Sequence, residues 1–248
     1  VIETTGPTPE NKAYYAPVSS LILRSWTARY WNHSAEPLFE GVSAMKPGVS
    51  RGLSIAEFLS EVAAFGWARR VWRVDMHHTL DPDHARWREI GSRAVVDAMR
   101  RSHIRDRGCE DIAQHVSIMP DGEIWTGRDW NRTPASVGIA MSRGVFMLEV
   151  VGNFDKGRDR LEGAQLEATI AVIRGVQARF RLPAEALLFH RDVPQSDKTC
   201  PGSGVEKAEI VRLLRRSPVC VAPFGACLAR LPLEAEAKAT GATIRSTG

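Results

Sequence analysis

Cysteine is scarce in this chain: Cys109, Cys200, Cys220 and Cys227 are the only four in 248 residues, and no CxxC pair occurs. That excludes a disulfide scaffold, which small extracellular domains need and a chain long enough to bury a large core does not. Cys220 and Cys227 can pair in an oxidising compartment or stay unpaired in a tail, and the sequence leaves both open. Long apolar runs are also missing. No stretch approaches the roughly 18 apolar residues of a membrane-spanning helix, so no span is expected. The residues from Val1 onward do not read as a charged-then-apolar secretory leader. The formal net charge of +4 suits anionic surroundings such as nucleic acid, lipid headgroups or cell-wall polymers. No nucleic-acid reading motif accompanies it. The basic residues Arg69, Arg70 and Arg73, interleaved with tryptophan, read as a solvated flank before a strand.

What is present is ordinary globular composition, 44% hydrophobic and 25% charged, which argues against wholesale disorder. Residues 1–50 mix Pro, Gly and Ser with an aromatic segment, Tyr14 to Trp31, without a steady period, and read as an extension. Ser54 and Glu57 have capping-box spacing and open a helix from Ile55 to Phe65. Val71 to Met76 reads as a buried strand that delivers His77 and His78 to its C-terminal end. Ala85 to Ser102 has helical spacing, as one helix or two short ones. Ile112 to Met119 and Glu123 to Thr126 flank Pro120-Asp121-Gly122, a hairpin signal. A strand from Phe146 to Val151, a helix from Leu161 to Phe180, a strand from Leu187 to His190 and a helix from Val205 to Leu214 follow. Strands separated by helices predict an α/β fold, a central mixed sheet flanked by helices, with a site in a cleft at the strand ends. After Arg216 the composition turns to Ala, Pro, Gly and Thr, so 217–248 reads as a poorly ordered tail. The main domain is then 51–216.

Three segments carry groups that suit a metal: His77-His78-Thr79, His190-Arg191-Asp192 and Lys198-Thr199-Cys200-Pro201-Gly202. Two imidazoles and a thiolate suit zinc, and a catalytic zinc keeps three protein ligands with the fourth position open. His77, His190 and Cys200 meet that count. Taken one at a time, a strand-end His is more often structural and a buried Cys usually packs.

The order HHT, DGEIWTGRD, FHRDVPQSDKTCPG resembles the zinc-dependent N-acetylmuramoyl-L-alanine amidase family (amidase type 2), which includes phage lysins, bacterial cell-wall recycling amidases and animal peptidoglycan recognition proteins. The resemblance covers roughly residues 70 to 215. It implies zinc held by His77, His190 and Cys200, hydrolysis of the amide between N-acetylmuramic acid and L-alanine, peptidoglycan as partner, and a setting in the wall or periplasm, in secretion or in a phage lysin. It places Lys198 where the family carries a catalytic lysine. It also places Glu149 where the recycling branch carries its general acid/base, whereas Gln114 stands where other members have a tyrosine. A carboxylate in an apolar strand is costly unless paired or used; the plainer reading of Glu149 is a partner for an arginine at a sheet edge.

The family's groove-lining histidine is replaced by Ser136, and Ser142 is the residue nearest to an asparagine often found before the next strand. Gln114, Trp130, Asn131 and Ser136 are the expected substrate contacts, although aromatic residues near the hairpin can equally be core. Two rivals remain: a peptidoglycan-binding protein of the same fold without catalysis, and a structural zinc domain, which would need a fourth protein ligand. Oligomeric state is not legible.

Overall fold

The computed structural model describes residues 48–194 and 196–216. The expected extension before residue 48 and the expected tail, with Cys220 and Cys227, lie outside the described residues.

Six strands form one mixed sheet: β1 (Gly52–Leu53), β2 (Arg73–His78), β3 (Val116–Ile118), β4 (Ile124–Thr126), β5 (Val145–Val150) and β6 (Leu187–Phe189), in the order β1-β4-β3-β5-β2-β6. The β2–β5, β2–β6 and β3–β5 pairs are parallel, and β1–β4 and β3–β4 are antiparallel. The helices are α1 (Ile55–Ala64), α2 (His84–Arg105), α3 (Ile139–Ser142), α4 (Gly163–Phe180) and α5 (Lys207–Arg215). This is the α/β architecture that the alternating pattern predicts. No helix among the described residues is long and apolar enough to cross a membrane.

Local chemistry sets several boundaries. Ser54 and Glu57 form the expected capping box at the start of α1: the Glu57 amide donates to Ser54 Oγ at 3.3 Å and the Ser54 amide donates to Glu57 Oε2 at 2.7 Å. Asp83 caps α2 by accepting from the Arg86 amide. At Gly91 the φ of +79° breaks α2 into two helical segments, a conformation glycine adopts at little cost. Pro120-Asp121-Gly122 turns β3 back onto β4, as the sequence predicts, with the Gly122 amide donating to the Met119 carbonyl.

Side chains alternate across each strand, and this alternation separates core from site. On one face Val74 and Met76 of β2, with Phe146, Leu148 and Val150 of β5, join Phe58 and Val62 of α1, Val172, Ile173 and Val176 of α4, and Ile210 and Leu214 of α5. Each such side chain contributes roughly 1.5–3 kcal/mol on burial. The other face takes the odd-numbered residues, Arg73, Asp75 and His77 of β2 and Val145, Met147 and Glu149 of β5. A smaller cluster built on Val95, Val96 and Met99 of α2 packs on Trp125 beside this second face. The His77 region is left to polar groups.

Candidate metal centre

His77 lies near the C-terminal end of β2, 5% exposed, on the face away from the main core. β6 pairs with β2 up to Phe189 opposite Met76, and the chain then enters a 3-10 turn, His190–Asp192. The turn sets His190 alongside His77, ring centroids 5.0 Å apart. Asp192 anchors it by accepting from the Phe189 amide at 3.2 Å.

Cys200 arrives on the loop that follows, held from both sides. The Arg191 amide donates to the Cys200 carbonyl at 2.9 Å, and the Arg191 guanidinium donates to the carbonyls of Gly202 and Val205. Asp155 accepts from Thr199 Oγ1 and from the Ser203 amide. Gly202 has a φ of +112°, and a Cβ there would stand 2.5 Å from the Phe154 carbonyl group, so the loop lies against backbone that only glycine can approach. Cys200 Sγ thereby comes to 3.5 Å from His77 Nδ1, and ligand atoms of His77, His190 and Cys200 all lie within 4.8 Å of one another.

Electrostatics at the cluster follow from burial. Desolvation, then the nearby His190, pushes the His77 imidazole down to about 3, and burial followed by Lys198 lowers His190. Both imidazoles are therefore neutral, the form a metal ligand must have. Burial, then the Glu149 carboxylate, pushes the Cys200 thiol up to about 12, so without a cation it keeps its proton. Two neutral imidazoles and a thiol, converging without a fourth protein donor among the described residues, fit a zinc site with an open position.

Glu149 is the registered neighbour of His77 on β5, and Ser117 of β3 is its neighbour on the other side. Burial pushes its carboxyl up to about 8, opposed by Arg107, and no hydrogen-bond or ion-pair partner is found for it among the described residues. The edge-strand reading is corrected here: β5 lies between β3 and β2, inside the sheet. Lys198 is on the Cys200 loop with its side chain 47% exposed and Nζ 3.5 Å from Asp197 Oδ1, close enough to His190 to depress its pKa.

The remaining expected contacts fall elsewhere. Trp130 is 1% exposed and packs on Phe58, Trp67 and Phe146, on the core face of the sheet, because its large ring fills the space between α1 and β5. Gln114 is fully buried and donates to Ser117 Oγ at 2.9 Å, one residue removed from Glu149 across the sheet. The Asn131 amide holds the chain before β2, donating to the Gly66 carbonyl and accepting from the Ala68 amide. Ser136 does reach the cluster, but its hydroxyl contacts His77 Nε2 at 2.8 Å and donates to Asp75 Oδ2 at 2.9 Å. Asp75 is in turn held by Arg73, Nε to Oδ1 at 2.6 Å and Nη2 to Oδ2 at 3.0 Å. The solvated-flank reading is corrected at Arg73, which lies inside β2 and is 7% exposed because Asp75 pairs with its guanidinium. Asp75 escaped the sequence reading, and its signal was the two-residue period that puts Arg73, Asp75 and His77 on one face of a strand. His78 faces the other way, its Nδ1 accepting from the Phe154 amide.

Residues 67–203 match the family described as N-acetylmuramoyl-L-alanine amidase, a span of more than half the chain that takes in His77, Glu149, His190 and Cys200. Among curated proteins the chain is similar to peptidoglycan-recognition protein SC1a of Drosophila melanogaster, 26% identical over 121 residues, which is 45% of this chain and 58% of that protein. Thus it spans a little over half the length of the curated relatives it matches. Among solved structures, a variant of Drosophila PGRP-LB in complex with tracheal cytotoxin shares the fold, with a TM-score of 0.51 and 23% identity over 68% of this chain and 88% of that one. The N-acetylmuramoyl-L-alanine amidase LysC from Clostridium intestinale URNW gives 0.49 and 24% over 59% of this chain and 86% of its own. The chain belongs to the N-acetylmuramoyl-L-alanine amidase family.

Proposed function

We propose that residues 51–216 are a zinc-dependent amidase domain that hydrolyses the bond between N-acetylmuramic acid and the L-alanine of the peptidoglycan stem. The observation that carries this reading is the convergence of His77, His190 and Cys200, three donors and no fourth among the described residues, with the unpaired Glu149 carboxyl on the adjacent strand. A zinc ion held by these three residues supplies Lewis-acid activation of the scissile carbonyl and of water.

The protein's own groups do the rest. Glu149, whose carboxyl burial pushes up to about 8, is suited, once a nearby cation has ionised it, to take a proton from water and pass it to the departing alanine nitrogen. Lys198, on the loop that carries Cys200, offers ammonium donors to the carbonyl oxygen as it gains charge. Ser117 and the buried Gln114 hold the sheet next to Glu149, so the carboxyl stands on a rigid strand rather than on a loop. A wall-facing setting, whether periplasm, secretion or phage lysis, goes with such a substrate.

The names of the curated relatives favour a second reading, a protein that retains peptidoglycan without cutting it. The two are separated by incubating zinc-loaded protein with purified peptidoglycan and measuring new L-alanine amino termini beside Glu149→Ala and Cys200→Ala. Release that is lost in both variants and after chelation supports the amidase. Retention of peptidoglycan with zinc bound and no new termini supports the recognition protein.

A further inference from the structure

We infer that Ser136, backed by Asp75 and Arg73, is a positioning residue that fixes His77 in the one tautomer able to bind a metal. The inference rests on the zinc-site reading above and concerns groups that do not themselves touch the ion.

The argument is an accounting of protons along a chain of four side chains. Arg73 has only donors, and it engages both oxygens of Asp75, at 2.6 Å and 3.0 Å. Another of its bonds goes to the Met141 carbonyl at 2.9 Å, so the guanidinium is itself fixed. Asp75 is 1% exposed and Arg73 7%; burial pushes the Asp75 carboxyl up, and the two parallel bonds from the Arg73 guanidinium oppose this and hold it as the acceptor. Ser136 Oγ lies 2.9 Å from Asp75 Oδ2 and must spend its single proton there. It then has only lone pairs to offer His77 Nε2, 2.8 Å away, so that nitrogen carries the hydrogen. A neutral imidazole protonated on Nε2 has its free lone pair on Nδ1, and Nδ1 is the atom that faces Cys200 Sγ. The opposite tautomer would aim an N–H at the cluster and leave Ser136 facing a second acceptor.

Strand alternation makes this arrangement cheap to build, since Arg73, Asp75 and His77 occupy successive positions on one face of β2. Ser136 comes from the loop before α3, where its amide meets Ser142 Oγ at 3.3 Å. Partners of this kind behind a metal-binding histidine typically change metal affinity by about 10- to 100-fold.

The test measures zinc affinity by competition with a chromophoric chelator, and the His77 tautomer by nitrogen NMR of the imidazole in the metal-free protein. Wild type, Ser136→Ala and Ser136→Thr are compared, with thermal unfolding as the control for folding. The expected result is a zinc affinity lower by about 10-fold or more in Ser136→Ala, loss of the single Nε2–H signature, and recovery of both in Ser136→Thr. Wild-type affinity together with an unchanged Nε2–H tautomer in a folded Ser136→Ala would overturn the inference while leaving the metal site standing. Failure of the wild type to bind zinc would sink the metal-site reading itself.

Discussion

Glu149 and His77 stand side by side on adjacent parallel strands, in register, with β5 and β2 both inside the sheet. A carboxyl raised to about 8 therefore shares its surroundings with an imidazole lowered to about 3, both mainly by burial. The pair tolerates this only because each is neutral when no cation is present.

That relationship has a pH signature in the metal-free protein. The Glu149 pKa rises on folding from its ordinary 4.5, so its contribution is fully present below 4.5 and is lost as pH climbs through 8. The lowered histidines, His77, His78, His103, His115 and His190, act the other way, over the range up to about a unit above 6.5 in which an unfolded imidazole still holds protons. The histidines still act just above 6.5, and burial also raises Asp75, so the Glu149 contribution is isolated as the difference between wild type and Glu149→Gln. Denaturant unfolding in chelator should show wild type losing about 1 kcal/mol relative to Glu149→Gln between pH 6.5 and 8, after allowing for the partial exposure of Glu149. Parallel pH profiles for the two proteins would refute the burial argument.

Metal uptake should release protons. The Cys200 thiol, held near 12, must lose its proton to become a ligand. A dication nearby also drives the proton from Glu149. Calorimetric titration with zinc in buffers of different ionisation enthalpy near pH 7 should give roughly one proton more for wild type than for Glu149→Gln. No difference would place Glu149 outside the field of the ion.

Gly202→Ala should weaken the site without touching a ligand. Alanine is strained at a φ of +112°, and its Cβ would press on the Phe154 carbonyl at 2.5 Å. A stability loss of about 2 kcal/mol or more is expected, with weaker zinc binding because the Cys200 loop shifts. Unfolding curves and chelator competition on the same preparation measure both, and an unchanged zinc affinity would show that the loop tolerates the shift.

Trp130→Ala should cost about 3–5 kcal/mol, as large aromatic deletions in a core do. Trp130→Phe should cost much less, because the buried indole Nε1 has no hydrogen-bond partner among the described residues to lose. If instead both variants unfold like wild type but bind peptidoglycan poorly, Trp130 is a substrate contact after all.

The sheet and helices were legible where side-chain chemistry and backbone demand coincide, as at the Ser54 capping box and the Pro120-Asp121-Gly122 turn. β2 runs two residues past its expected end at Met76. Apolar patterning stops there, but the backbone ladder continues through His77 and His78 against Glu149 and Val150. The strand expected from Ile112 shrinks to Val116–Ile118, since Ala113 and Gln114 direct their backbone bonds to Ala135 and Arg128. Trp130 and Ser136 are harder cases. What covers a tryptophan, or which acceptor takes a serine proton, depends on residues about 60 positions away that no local period reveals.

The Cys200–His77 approach joins points 123 residues apart in the chain. In polymer terms an ion shared by these residues would be a clasp closing a very long loop, as a disulfide does. A covalent link closing a loop of that order removes chain entropy worth about 4–5 kcal/mol from the unfolded ensemble. With zinc held there as proposed, the lifetime of the folded chain against proteases would be tied to the supply of the metal around it.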